Sequence, residues 1–194
     1  MKRTLIALSA LLPAFAFAHT GHDAGMHHGS AFLEGFTHPF TGLDHLAAMI
    51  TVGVWSMLSF RHSPRAALAS PLAFAGLLLA GGIAGFAGVT IGGVEPMIAA
   101  SLLVLGLMVA LQVKLPASAG AAIVGAFAIF HGLAHGAELP AARAAAALTG
   151  MLLGTLALHA SGMLIARFGL ARNVWLPRLA GTGVALFGLS LLAA

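Results

Sequence analysis

Two histidines and an aspartate interrupt an apolar run in the stretch HPFTGLDHLAAM, as His38, Asp44 and His45. On a continuous helix, His38, His45 and Met49 would lie in one stripe, while Asp44 would project to the side. Pro39 fits a helix start or a break, and a break would let His38 and Asp44 converge. Because imidazole and carboxylate groups bind metal ions, this stretch is the first candidate metal site.

The stretch FHGLAHGAELP is the second candidate. His131, His135 and Glu138 follow the spacing i, i+4 and i+7, which sets all three side chains on one helical face. Glu34 and Glu95 stand at the outer ends of the first and third apolar segments. We expect these two carboxylates at the entrance to the site.

Ionisable side chains inside a membrane are costly unless they are paired or hydrated, and they therefore mark functional sites. A structural network, in which Asp44 and Glu138 hydrogen-bond histidines to join helices, is the alternative. Two clusters of histidine and carboxylate at one depth favour metal binding. Met49 is expected to serve packing. His159, deep in a later segment, fits either an inner relay site or a satisfied core residue.

The absence of cysteine excludes disulfides and thiolate metal sites. Imidazole combined with carboxylate suits borderline divalent ions such as nickel, cobalt and zinc. We expect the ion to be a passing substrate and no cofactor to be held permanently.

The first residues, MKRTLIALSALLPAFAFAHT, combine a basic start, an apolar stretch and an Ala-x-Ala site. This pattern predicts a signal peptide at residues 1–18 that is cleaved before His19. Residues 19–30 then form a short periplasmic arm, and residues 31–194 form the transmembrane domain. Short histidine-rich tracts often bind metal, with a solvated tail as the alternative. The candidate ligands of the arm are His19, His22, Asp23, Met26, His27 and His28.

The composition is that of an integral membrane protein. Of the 194 residues, 60% are hydrophobic and 7% are charged, and the mean hydropathy is +1.01. A soluble domain of this length would carry several times more charge. The high pI of 11.3 reflects nine Lys and Arg residues against five acids, so the expected partner is the lipid bilayer and not nucleic acid. The chain has no GxxxxGK[ST] phosphate-binding loop, which argues against ATP hydrolysis.

Six apolar segments predict an all-α bundle of six transmembrane helices, each near the ~20 residues that cross a bilayer. They are residues 36–59, 69–92, 96–114, 117–138, 142–166 and 174–193. The glycine-rich stretch GGIAGFAG, with Gly81 and Gly85 in small-xxx-small spacing, predicts close helix packing.

Basic residues fall in alternate loops and predict the orientation of the bundle. The basic loops hold Arg61, Arg65, Lys114, Arg167, Arg172 and Arg178, and the remaining loops hold only Arg143. The first set is expected in the cytoplasm, so both termini of the mature chain would lie outside. Both candidate stretches then lie in the outer half of the membrane.

HPFTGLDHLAAM followed by VGVW, together with FHGLAHGAE and a signal peptide, resembles the HupE/UreJ family of bacterial nickel permeases, which accompany hydrogenase or urease systems. The resemblance covers nearly the whole mature chain. It implies six transmembrane helices in the inner membrane, high-affinity nickel uptake and an essential first motif. The positions that match the two family motifs are His38, Asp44, His45, His131, His135 and Glu138.

The resulting expectation is secondary transport of Ni²⁺, or of Co²⁺, from periplasm to cytoplasm to supply hydrogenase or urease, without enzymatic activity. A divalent cation that enters down an inside-negative potential gains about 4.6 kcal/mol per 100 mV, so ATP is not required. Metal binding needs deprotonated histidine, so uptake should weaken as the pH falls through ~6.5. An intramembrane zinc-dependent hydrolase is the alternative. A sensor or scaffold that binds nickel without moving it is a third, and the oligomeric state is left open.

Overall fold

The computed structural model describes residues 30–139 and 141–194. The predicted signal peptide and the histidine-rich arm, apart from Ser30, lie outside these residues. The described residues form an all-helical fold, as predicted. Its helices are α1 (Ala31–Thr41), α2 (Leu43–Ser59), α3 (Pro64–Phe86), α4 (Val94–Ala110), α5 (Ala117–Glu138), α6 (Ala144–Phe168) and α7 (Trp175–Leu192).

Four of the helices, α3, α5, α6 and α7, are long and apolar enough to cross a membrane. Helices α2 and α4 are also apolar, but each has 17 residues. The fifth helix matches its predicted range, 117–138. Helix α3 begins five residues before its predicted start at 69, because Pro64 suits the first turn of a helix. With four helices of spanning length, the chain is a helical membrane protein.

The apolar segment predicted over residues 36–59 is not one continuous helix, because the chain breaks at Gly42, three residues after the Pro39 at which the sequence allowed a break. Ser30 caps α1 by accepting a hydrogen bond from the backbone N–H of Leu33 at 3.2 Å. Pro39 lies inside α1 and cannot donate to the carbonyl one turn earlier, which weakens the helix at this point. Gly42 is extended, with φ −90° and ψ 122°, and α2 begins at the next residue. The predicted continuous stripe of His38, His45 and Met49 is therefore divided between two helices.

Glycines bring α3 and α5 into backbone contact. A Cβ added at Gly85 would lie 2.9 Å from the carbonyl oxygen of Leu133 and 3.0 Å from the Cα of Gly136. One turn earlier on α3, a Cβ added at Gly81 would lie 3.2 Å from the Cα of Gly132 on α5. The two helices run parallel, and their contact bears out the packing predicted from the small-xxx-small spacing.

Two further pairings complete the bundle. Helices α1 and α2 together run parallel to α6, with Gly35 beside Ala147 near one end. Helix α4 runs antiparallel to α7, with Gly106 beside Ala185. At the C-terminal end of α2, the indole Nε1 of Trp55 donates a 3.1 Å hydrogen bond to a carbonyl just beyond α4. The packing therefore gathers the loops that were predicted to be cytoplasmic at one end of the bundle.

Substitution of Gly81 by leucine should destabilise the bundle, because the new side chain would meet the backbone of α5. Overpacking of this kind costs about 1–3 kcal/mol, so we expect the Tm of the detergent-solubilised protein to fall by about 5 °C or more. Gly76→Leu is the matched control on the same helix, since nothing in the described residues lies within 4 Å of its added Cβ. Equal melting temperatures for the two variants would contradict this packing.

Candidate metal site

One hydrogen-bonded pair forms the mouth of the site, His38 on α1 and Glu138 at the end of α5. His38 Nε2 lies 2.9 Å from Glu138 Oε2. The carboxylate can only accept, so His38 Nε2 donates and His38 Nδ1 keeps its lone pair. Ligand atoms of His38, Glu138 and His135, one turn further in, all lie within 4.8 Å of one another. Two ligand atoms on opposite sides of a metal ion are about 4.2 Å apart. Because the ligand atoms here are separated by similar distances, small side-chain rotations would let them coordinate a single ion.

The break at Gly42 positions a second pair, Asp44 and His45. Asp44 Oδ1 accepts hydrogen bonds from the backbone N–H of His45 at 2.8 Å and from its ring Nδ1 at 2.9 Å. A Cβ at Gly42 would lie 2.8 Å from Asp44 Oδ1, so glycine leaves room for this arrangement. A histidine that donates to a carboxylate presents its other nitrogen as a stronger metal ligand. The break was predicted to let His38 and Asp44 converge, but the two side chains bond to different partners, Glu138 and His45.

A serine on α4 orients His131. The Ser101 hydroxyl donates to the carbonyl oxygen of Ile98 at 2.6 Å and lies 3.0 Å from His131 Nε2. A hydroxyl has one hydrogen, so its oxygen accepts from His131 Nε2–H. The lone pair of His131 is thereby fixed on Nδ1.

Four of the predicted histidines form one continuous group, the imidazole row: His38, His135, His45 and His131. The ring centroids are 4.8 Å apart from His38 to His135, 4.5 Å from His135 to His45 and 4.8 Å from His45 to His131. The side chains of His38 and His45 are 26% and 12% exposed, whereas His135 and His131 are buried. The row leads from the surface into the bundle.

Several buried ring nitrogens lack a hydrogen-bond partner within residues 30–139 and 141–194. They are His45 Nε2, His131 Nδ1, both ring nitrogens of His135 and His159 Nε2. An unsatisfied buried polar group costs about 1–3 kcal/mol, and native proteins hold few of them. Here they are concentrated on neighbouring histidines whose lone pairs are the nitrogen ligands that a divalent metal requires. The arrangement is therefore suited to binding a metal ion.

A cavity of about 310 Å³ adjoins the row on the outer side. Asp44 and Glu95 line it, and the Glu95 carboxylate lies within electrostatic range of Asp44 and Glu138. Glu95 therefore lies beside Asp44 at this cavity, and its role at the entrance stays a prediction. Glu34 lies in the first turn of α1 and is not among the residues that line this cavity.

The remaining predicted residues fall in different places. Met49 is fully buried in the hydrophobic core, as its packing role requires. Its backbone carbonyl accepts a 2.8 Å hydrogen bond from His159 Nδ1. The arm residues His19, His22, His27 and His28 lie outside the described residues.

Sequence reasoning did not identify Gly42, Ser101 or Phe74. A lone serine in the apolar stretch around residue 101 was a usable signal, because a polar side chain in such a helix needs a partner. Gly42 was visible within the first motif but had no assigned role. Phe74 packs against His131 at 5.4 Å and His159 at 5.1 Å between ring centroids, and nothing in an apolar sequence distinguishes it.

Fold and site together define a helical membrane protein with a buried row of histidines that opens beside carboxylates. The chain belongs to the HupE/UreJ family, since the family described as HupE / UreJ protein matches residues 6–191. It is similar to Protein HupE of Rhizobium leguminosarum bv. viciae, with 41% identity over 192 residues that cover 97% of this chain and 95% of that protein. No solved structure matches the chain. The resemblance drawn from the two motifs is confirmed.

Removal of the Ser101 hydroxyl should weaken metal binding, because His131 would lose the bond that fixes its lone pair. We expect Ser101→Ala to lower Ni²⁺ affinity about tenfold, the effect typical of a group that orients a ligand. The measurement is calorimetric titration of detergent-solubilised protein in which four arm histidines are replaced by alanine: His19, His22, His27 and His28.

Ser56→Ala is the matched control for this titration. Ser56 is also a buried serine, and its hydroxyl bonds to the carbonyl of Ala67, on the side of the bundle away from the row. Affinities that agree within twofold for the two variants would contradict a role for Ser101 in orienting His131.

Proposed function

We propose that this protein transports Ni²⁺, with Co²⁺ as a second candidate, from the periplasm to the cytoplasm as a secondary transporter that supplies hydrogenase or urease. The observation that carries the proposal is the group of unpartnered, buried ring nitrogens along the imidazole row. Membership of the HupE/UreJ family supports it, because the two family motifs supply the row. The zinc hydrolase alternative gains no support from the family comparison.

The transport domain is proposed to cross the membrane six times, with α1 and α2 together as the first crossing. Support comes from the helix directions. Helix α2 is parallel to α6, α3 is parallel to α5, and α4 is antiparallel to α7. Helices α2 and α3 run in opposite directions, because the end of α2 contacts the start of α3 at Ser56 and Ala67, while His45 at the start of α2 lies beside His131, which contacts Phe74. Strict alternation of six crossings requires this pattern.

The distribution of charge supports a cytoplasmic location for the basic end. Acidic side chains of the described residues lie toward the opposite end, at Glu34, Asp44, Glu95 and Glu138. At the basic end, Arg61 and Lys114 line a cavity of about 250 Å³. With basic residues inside, both mature termini face the periplasm of the bacterial inner membrane. Cleavage of residues 1–18 and collection of metal by the arm are part of the same proposal.

Entry begins at the carboxylates. Glu138 and Glu95 raise the local concentration of cations at the mouth, where the side chains are still hydrated. Ni²⁺ exchanges part of its water shell for the nitrogens of His38 and His135, and then for those of His45 and His131. Each histidine that donates its other nitrogen to Glu138, Asp44 or Ser101 keeps a fixed lone pair during this exchange. The spacing of 4.5–4.8 Å between successive rings allows one ligand to replace another in steps.

Release into the cytoplasm is driven without ATP. The inside-negative potential contributes about 4.6 kcal/mol per 100 mV for a divalent ion. Protons compete with the metal for each ring nitrogen, so binding weakens in acid. Positive charge around the inner cavity disfavours retention of the ion there.

The proposal predicts nickel uptake into proteoliposomes that contain the protein and hold an inside-negative potential. His45→Ala should lower the initial rate of radioactive nickel uptake at least about tenfold, because His45 joins both ends of the row. His62→Ala is the control, since His62 is exposed in the loop between α2 and α3. Binding of nickel without accumulation in the lumen would instead indicate a sensor or scaffold. Uptake by His45→Ala at the wild-type rate would exclude the row as the path.

A further inference from the structure

We propose that His159 is a second metal-binding position on the inner side of the imidazole row, which receives Ni²⁺ from His131 and passes it toward the cytoplasm. The inference rests on the proposed transport function and extends it inward. It starts from a residue on α6, whereas the row is built from α1, α2 and α5.

The hydrogen bond of His159 leaves one nitrogen unexplained. Its Nδ1 donates to the carbonyl oxygen of Met49 at 2.8 Å, because a carbonyl can only accept. The lone pair is therefore on Nε2, which is buried and has no partner in the described part of the chain. The side chain is 1% exposed. A purely structural role explains the hydrogen bond of Nδ1. It does not explain why Nε2 is buried without a partner, which costs free energy of folding.

The position of His159 continues the row. The Phe74 ring packs against both His131 and His159, with centroid distances of 5.4 Å and 5.1 Å. His159 bonds to the carbonyl of Met49, which lies four residues, or about 6 Å, further along α2 than His45. The His45 ring contacts His131, so His159 lies about one turn deeper than the row. An ion that leaves the row inward meets His159 next.

Hydroxyl groups lie on both sides of His159. Thr155 lies one turn before His159 on α6, toward the outer end, and Ser70 lies one turn from Phe74 on α3 toward the basic end. Both hydroxyls are fully buried and unpartnered within the residues that the structure describes. They offer oxygen ligands that bind Ni²⁺ weakly enough for release.

The inner cavity lies just beyond. A Cβ at Gly120 would contact the Trp55 ring and lie 3.3 Å from Ser70 Oγ, so Trp55 and Ser70 approach the same point. Trp55 also lines the 250 Å³ cavity at the basic end. His159, Ser70 and Trp55 thus connect the row with the cytoplasmic side.

The test compares His159→Asn with wild type. Asparagine places an N–H donor where His159 has Nδ1, so it can keep the bond to Met49 while removing the Nε2 lone pair. Nickel affinity is measured by titration of the protein with its four arm histidines replaced, and uptake is measured with radioactive nickel in proteoliposomes under an inside-negative potential. His62→Asn, an exposed histidine, is the matched control.

The expected result is a split between binding and transport. His159→Asn should bind the first Ni²⁺ within twofold of wild type, which also reports a folded bundle, and its initial uptake rate should fall about tenfold or more. Uptake at the wild-type rate would overturn the inner position. Equal losses of affinity and uptake would do so as well, because they would indicate a disrupted bundle or a direct part in the outer site. Wild-type protein that binds nickel but accumulates none would instead refute the transport function, and the relay with it.

Discussion

The structure depends on a property of imidazole: a neutral ring has one donor and one acceptor nitrogen, and a bond that fixes the first leaves the second free. Glu138, Asp44, Ser101 and the Met49 carbonyl each fix one histidine in this way. The remaining lone pairs are buried in an apolar bundle, where a lone pair without a ligand lowers the stability of the fold. Stability alone would favour apolar side chains at these positions, so the arrangement is best understood as a site for a cation.

Backbone packing makes the row possible. Contacts between glycines hold α3 against α5, and glycines of the broken first helix and of α6 contact the backbone of the facing helix. Without side chains at these contacts, the remaining interior is available to histidines and to Phe74. The break at Gly42 is equally necessary, because it turns α1 so that His38 reaches Glu138 while Asp44 supports His45 from the next helix. Rigid packing and one local break thus combine to align residues from three helices.

Much of this was predictable from residue types and spacing. Hydropathy predicted an all-helical membrane protein. Small-residue spacing predicted that the helix face with Gly81 and Gly85 packs closely against another helix. The i, i+4, i+7 pattern selected His131, His135 and Glu138 as neighbours on one face. Pairings between helices were not predictable, because helical periodicity defines a face but not its neighbour. The choice of Glu138 as partner for His38, and of Ser101 for His131, follows from tertiary packing. The break was placed near Pro39, although the extended residue is Gly42, where glycine makes the helix weakest.

The central claim is that the histidines of the row bind nickel directly. Nickel K-edge X-ray absorption of the protein with its four arm histidines replaced, loaded with one equivalent of Ni²⁺, tests it most directly. The account predicts multiple scattering from at least two imidazole rings, with nitrogen ligands at about 2.1 Å, and fewer rings in His135→Ala. A ligand shell of oxygen alone, or a spectrum unchanged by His135→Ala, would contradict it.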